Sequence, residues 1–186
     1  MDASDRDLMV RLGRGEREAL APLMERHHKR VYRIALAYLR NADDALDVVQ
    51  ETFVRAFRNA SRWDPASEVL PWLVRIAVNH SIDRYRRGRR RLASEEPLVP
   101  GDHDARVTAS DPSPERKVFG REVSEHVAAA LRRLPERQRQ VFVLRHYDEM
   151  SLDQIAQALG MSLGTVKSSL HRAVHRLRVD LEGLQA

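Results

Sequence analysis

Four carboxylates, Asp43, Asp44, Asp47 and Glu51, crowd into the stretch ADDALDVVQETFVRAFRNA. Hard oxygen ligands at such spacing are the raw material of a magnesium or calcium site, and so of metal-assisted phosphoryl transfer or nuclease chemistry. On a helix, however, they spread along one exposed face. No histidine stands among them, and the chain offers no glycine-rich phosphate loop and no nucleophile–base pair. Acidic groups in a first helical turn are also favoured by the macrodipole alone. An enzyme is therefore not expected; no catalytic residue, metal or cofactor is assigned.

A second group is cationic. Arg84, Arg86, Arg87, Arg89, Arg90 and Arg91 form a run dense enough to hold phosphates, with Trp63, Trp72 and Tyr85 close by. Aromatic faces beside cations are suited to gripping unstacked single-stranded bases, although Trp72 and Tyr85 equally suit half-buried packing.

The third group lies in Ser151 to Arg178, SLDQIAQALGMSLGTVKSSLHRAVHRLR, which reads as a helix-turn-helix. Ser151 and Gln154 form a capping box, and Ile155, Ala156 and Leu159 make an apolar stripe. Gly160 supplies a positive-φ turn and Ser162 caps the second helix. In that helix Val166, Leu170, Val174 and Leu177 are expected to pack inward, leaving Thr165, Lys167, Ser168, His171, Arg172, His175 and Arg176 outside. A polar, basic helix face fits the DNA major groove. An ordinary amphipathic pair with a solvated basic face is the plainer alternative. Against it stand the capped helices meeting at a glycine turn of the right length, and the small Ala156 where the helices would touch.

The elements that must carry these groups are helical throughout. Ser4 with Asp7 opens a short helix ended by Gly13 and Gly15. A longer one follows from about Glu16, with Leu20, Leu23, Met24, His27, Val31, Ile34, Ala35 and Leu39 at helical spacing. Asn41 caps the acidic helix, which is expected to bury Leu46, Val49, Phe53, Phe57 and Ala60. Pro71 suits the first turn of the arginine-rich helix, whose inner set is Leu73, Ile76, Ala77 and His80. Near the C-terminus one helix carries Phe119, Val123, Val127, Ala130, Leu131 and Leu134, and Pro135 starts another with Val141, Phe142 and Leu144.

With 5% aromatic and 32% charged residues, the core must be mainly aliphatic, which suits small helical domains. Charge divides the chain into three parts: net +6 over residues 1–92, −5 over 93–115 and +4 over 116–186. The middle part holds four of the eight prolines and no helical periodicity, so it reads as a flexible acidic linker. The expected fold is all-α, two small helical domains joined by that linker, the second containing the helix-turn-helix. The overall charge of +5 suggests a polyanionic partner. There is no cysteine, so disulfides and thiolate metal sites are excluded. The N-terminus is acidic where a signal peptide is basic and then apolar, and no apolar run approaches the ~18 residues of a membrane span. A cytoplasmic protein without membrane insertion is expected.

Two of these stretches carry a family resemblance. LPERQRQVFVLRHYDEMSLDQIAQALGMSLGTVKSSLHRAVHRLR resembles the promoter −35 reading domain of bacterial RNA polymerase sigma factors of the extracytoplasmic-function type. DALDVVQETFVRAFRN, RWDP and PWLVRIAVNHSIDRYRRGRR resemble the other conserved domain of that family. The resemblance implies a promoter-specificity subunit that binds core RNA polymerase and promoter DNA, with an anti-sigma factor as inhibitor. It implies that Asp47, Gln50 and Glu51 dock on the clamp coiled coil of the polymerase β′ subunit, with the β flap as a further polymerase contact. It implies that Trp63, Asn79, Asp83, Arg84 and Arg87 capture flipped −10 bases and open the duplex. Thr165, Lys167, Ser168, His171 and Arg172 then meet the −35 element, and the linker threads toward the polymerase active centre. Ser169 departs from the pattern T-V-K-S-R-L, where a basic residue is usual, so one −35 phosphate contact is expected to be missing. The chain ends eight residues past Arg178, so control by a C-terminal extension is not expected.

A stand-alone helix-turn-helix regulator is the alternative. It leaves the acid-amide face and the arginine–aromatic helix without a use.

Overall fold

The computed structural model describes residues 3–94 and 125–182, and among them there is no strand. Among the described residues the α-helices are α1 Asp5–Gly13, α2 Leu20–Leu39, α3 Ala42–Asn59, α4 Val69–Ser94, α5 at residues 125–133, α6 Glu136–His146, α7 Leu152–Leu159 and α8 Leu163–Glu182. Helix α4 runs two residues into the stretch read as linker. The rest of that linker, and the positions of Phe119 and Val123, lie outside the described residues.

In the first domain the helix ends follow local chemistry. The Ser4 hydroxyl accepts from the Asp7 N–H at 3.2 Å, and the Asp7 carboxylate accepts from the Ser4 N–H at 3.0 Å. Asp5 then ties α1 to α2, accepting from Arg26 at 2.8 Å and lying 2.5 Å from Nε2 of the buried His27. A short 3-10 turn at Arg17–Ala19 precedes α2. That helix ends at Arg40, whose left-handed backbone (φ 55°) lets its N–H reach the Leu36 carbonyl. The Asn41 side chain accepts from the Asp44 N–H at 2.9 Å and starts α3.

Helices α2, α3 and α4 pack on one another in pairs. Their core draws on Leu8, Met9 and Leu12 of α1, Leu23 and Val31 of α2, Val49, Phe53 and Ala56 of α3, and Leu73 and Ala77 of α4. Each large side chain so buried contributes about 1.5–3 kcal/mol. A smaller cluster, Ala35, Ala45 and Val48, lies where α2 meets α3. Buried hydroxyls in these helices bond back one turn, Thr52 to the Val48 carbonyl at 2.7 Å and Ser81 to that of Ala77 at 2.8 Å.

The buried face of α3 differs from the expected one. It runs through Ala45, Val48, Val49, Thr52, Phe53 and Ala56, and Leu46 is 51% exposed. Small residues line the face because α3 approaches α2 closely, so the inner stripe passes beside the larger leucine rather than through it.

The second domain has its own core of Ala130, Leu131, Leu134, Ala173 and Leu177, with Val127, Phe142 and Leu181 packed against it. Ser151 and Gln154 exchange backbone-to-side-chain bonds at 3.1 Å each and open α7. Gly160, at φ +63°, closes it: the Met161 N–H reaches the Ala156 carbonyl at 3.0 Å and the Gly160 N–H points to that of Gln157. This is a Schellman turn, and it needs the left-handed residue at this place. Ser162 then accepts from the Thr165 N–H at 3.2 Å and starts α8. The inner face of α8 is Val166, Ser169, Ala173 and Leu177; Val166 and Leu177 are as expected, while Ser169 and Ala173 take the middle of the stripe, with Leu170 partly buried and Val174 exposed. Ser169, 5% exposed, therefore points inward, and the missing phosphate contact expected there has no place on the outer face.

Candidate nucleic-acid interface

Helix α3 presents an acid-amide strip. Asp47 and Gln50 are exposed and Glu51 is half-exposed, all on the side away from the core. Leu46, expected inside, lies on the same side, and Val54 one turn beyond Gln50 is also exposed, so the strip has an apolar component. Glu51 accepts from Arg55 Nε at 2.6 Å, and that bond holds its carboxyl below the usual range. Among the described residues no group of three side chains is arranged to hold a metal ion.

Between the C-terminal half of α3, the short 3-10 turn Ala60–Arg62 and the outer face of α4 lies an open cleft of about 320 Å³. It is lined by Arg55, Asn59, Arg62, Trp72, Arg75, Ile76 and Asn79. Positions 72, 75, 76 and 79 form one stripe of α4, beside the inward Leu73, Ala77 and His80, and Ile76, expected inside, is only partly buried at its edge. Asn59 is held in place by a bond from its amide to the Arg55 carbonyl at 2.9 Å. An indole face, two carboxamides and three guanidinium groups around a concave space can take a planar heteroaromatic ring and the phosphate beside it. That is the chemistry of an unstacked nucleobase.

The residues expected to contact the −10 element divide into three situations. Asn79 lines the cleft, and Asp83 and Arg87 are exposed further along α4, Arg87 Nε donating to the Asp83 carbonyl at 3.3 Å. Arg84 is turned to α3, where Nε and Nη2 donate to Asp44 and Nη2 also donates to Asp47 at 2.8 Å. Trp63 is corrected by its burial: only 5% exposed, it belongs to the core and has no ring face to offer. Trp72, not Trp63, is the tryptophan that lines the cleft. Of the lining residues Asn79 was expected and Trp72 stood among the aromatics singled out; Arg55, Asn59, Arg62 and Arg75 were not, although their helical spacing from one another and from Trp72 and Asn79 carried the signal.

His80, buried under the outer stripe of α4, has a pKa below its usual value. Burial is the main cause; Arg55, Arg87 and Arg84 add to it, and Glu51 opposes it. The ring is therefore held neutral.

On α8, Lys167, Ser168, His171 and Arg172 are exposed and Thr165 is half-buried beside the Ser162 cap. Arg172 folds back on Ser168, its Nε donating to the carbonyl and Nη2 to the hydroxyl, each at 3.2 Å. These residues lie opposite Val166, Ser169, Ala173 and Leu177, so one face is open to solvent while the other holds the domain together. Among the described residues no helix is long and apolar enough to cross a membrane.

A cationic cleft on one helical domain and a basic, capped helix on the other are features suited to binding nucleic acid. Comparison with known proteins narrows this. Sigma-70 region 2 matches residues 23–91, and Sigma-70, region 4 matches residues 124–177. The chain is 32% identical over 177 residues to the ECF RNA polymerase sigma factor SigW of Bacillus subtilis, covering 92% of this chain and 93% of that one. Among solved structures, CnrH in complex with the cytosolic domain of CnrY superposes with a TM-score of 0.72 at 27% identity, covering 97% of this chain and 99% of that one. The sigma factor RpoE in complex with the anti-sigma factor NepR from Bartonella quintana shares the fold, with a TM-score of 0.65 at 24% identity over 87% of this chain and 96% of that one.

The chain belongs to the extracytoplasmic-function sigma factors of RNA polymerase. It is a promoter-specificity subunit that binds core RNA polymerase and directs transcription initiation by recognising the −35 and −10 elements and melting the −10 region.

Proposed function

We propose a division of this activity among particular residues. Residues 1–92 form the domain that docks on polymerase and handles the −10 element, 93–115 form the linker, and 116–186 form the −35 domain. Asp47, Gln50 and Glu51, with Leu46 and Val54 beside them, meet the β′ clamp. Asn79 and Trp72, with Arg62 and Arg75, receive a flipped −10 base in the cleft, and Asp83, Arg84 and Arg87 track the strand beside it. Thr165, Lys167, Ser168, His171 and Arg172 read the −35 element from the major groove. The β flap is a further polymerase contact, and an anti-sigma factor is the inhibitor, as the RpoE–NepR complex suggests by analogy. Catalysis stays with the polymerase, and the protein acts in the cytoplasm.

The observation that carries this reading is the placement of the acid-amide strip and the base-sized cleft on two sides of the same helix pair, α3 and α4. A stand-alone regulator has no use for the strip. The test reverses charge on the strip: Asp47→Arg with Gln50→Arg is expected to weaken core polymerase binding at least about 30-fold, the effect of a 2 kcal/mol hot spot or more. Unchanged affinity for core in a folded double variant rejects the assignment.

A further inference from the structure

Arg84 belongs to two surfaces at once. It projects from α4 among the residues assigned to DNA, yet its guanidinium is held by two carboxylates of α3. Nε donates to Asp44 at 2.8 Å, and Nη2 donates to Asp44 and to Asp47 at 2.8 Å. The bonds span 40 and 37 positions of sequence, so they are a tertiary contact and not a helical neighbour effect. One of the two acceptors, Asp47, is a residue assigned to the polymerase.

The geometry decides what Arg84 can do in the free protein. Arginine recognises a phosphate bidentately, through two N–H groups on one edge of the planar fork. The Nε–Nη2 edge is here occupied by carboxylates, and their negative charge also repels an approaching phosphate. The contact is nevertheless easy to exchange. The side chains are 35% exposed for Arg84, 39% for Asp44 and 56% for Asp47, and ion pairs this accessible to water are weak. A weak, charge-specific contact joining a docking residue to a DNA residue has the properties of a latch.

We propose that the Asp44/Asp47–Arg84 contact is an autoinhibitory latch, opened when a basic partner surface takes the Asp47 carboxylate, so that docking on polymerase hands Arg84 to the DNA strand. This rests on the residue roles given under Proposed function. In the free chain the latch lowers affinity for DNA. In the docked chain Asp47 is engaged elsewhere and Asp44 alone holds the Nε–Nη2 edge, so the hold on Arg84 weakens and a phosphate competes with one carboxylate instead of two. Because binding couplings are reciprocal, DNA held by Arg84 also favours docking through Asp47.

The experiment measures binding of the free full chain to a fluorescein-labelled single-stranded DNA 12-mer of randomised sequence, by anisotropy, over a series of salt concentrations. Asp44→Asn is expected to raise affinity about 5-fold and to steepen the log–log salt dependence by about 0.7, the value for one new phosphate contact on single-stranded DNA. Asp43→Asn, which removes the same charge one residue away, is expected to change affinity much less. Combined with Arg84→Gln, the Asp44→Asn gain is expected to vanish. Asp47→Asn, at the more exposed end of the contact, gives a second route if Asp44→Asn lowers the melting temperature; its gain should be smaller and also dependent on Arg84. Equal gains from Asp43→Asn and Asp44→Asn, or a gain that survives Arg84→Gln, overturn the latch.

Promoter opening by reconstituted holoenzyme separates this from the reading it rests on. If Arg84→Gln does not impair opening, Arg84 is not a DNA residue and both fall. If Arg84→Gln impairs opening but the carboxylate variants leave free-chain binding unchanged, only the latch falls.

Discussion

The two tryptophans of the first domain lie on opposite sides of the same question, and substituting each in turn separates packing from base capture. Trp63 is 5% exposed within the core, so Trp63→Ala removes a fully packed ring and should cost about 3–5 kcal/mol of stability. For a domain of this size that lowers the melting temperature by more than about 10 °C. Trp72 instead lines the cleft and is only partly buried, so Trp72→Leu keeps apolar contact with the core and removes only the indole face. Base–aromatic stacking is worth about 1–3 kcal/mol, which predicts a 5- to 150-fold loss, roughly, in the opening equilibrium. The assay is permanganate reactivity of unpaired thymines in the −10 region with reconstituted holoenzyme, beside circular-dichroism melting of each free variant. Trp72→Phe should restore much of the opening. Should Trp72→Leu open promoters as well as the parent at a temperature where both are folded, base capture in this cleft is wrong.

Two further outcomes follow from local chemistry. His80 is held neutral, with a pKa below 6.5, so between its folded value and 6.5 the unfolded chain binds the extra proton. Stability must then decline as pH falls below about 6.5. His80→Gln should flatten the melting-temperature profile between pH 7.5 and 5.5, and an unchanged slope rejects the account. At Gly160 an added Cβ meets nothing within 4 Å, so Gly160→Ala should cost only the strain of a left-handed alanine, about 1 kcal/mol by chemical denaturation. A loss of several kcal/mol there would show that the turn tolerates no adjustment.

Helix starts were the most legible part of the chain, because they are written in short-range chemistry: Ser4 with Asp7, Asn41, Ser151 with Gln154, and Ser162 all cap the helices their positions announced. The helix faces were less so. On α3 the stripe kept Val49 and Phe53 but not Leu46, and on α8 it kept Val166 and Leu177 but ran through Ser169 and Ala173 in place of Leu170 and Val174, for the same reason. Ala45 and Ala56, and likewise Ser169 and Ala173, are small residues on the packed faces. A reading that follows bulk and hydropathy moves toward Leu46 and Val174 and leaves them out. The cleft suffered from the same limitation in reverse. Trp63 looked functional because it is aromatic and lies in a loop, but its burial depends on the core that residues of several helices build around it, which local sequence does not state. The pairing of Arg84 with Asp44 and Asp47 could not be read at all, since it depends on how α3 and α4 lie against each other.

Arg55 bears on how genetic data from this protein should be interpreted. Its Nε is bonded to Glu51, and the same residue lines the cleft. An allele isolated for failing to associate with the enzyme, if it falls at position 51, will disturb the wall of the base-holding space as well. Complementation classes drawn from phenotype will therefore overlap at this spot, and second-site revertants of such an allele are to be sought at position 55.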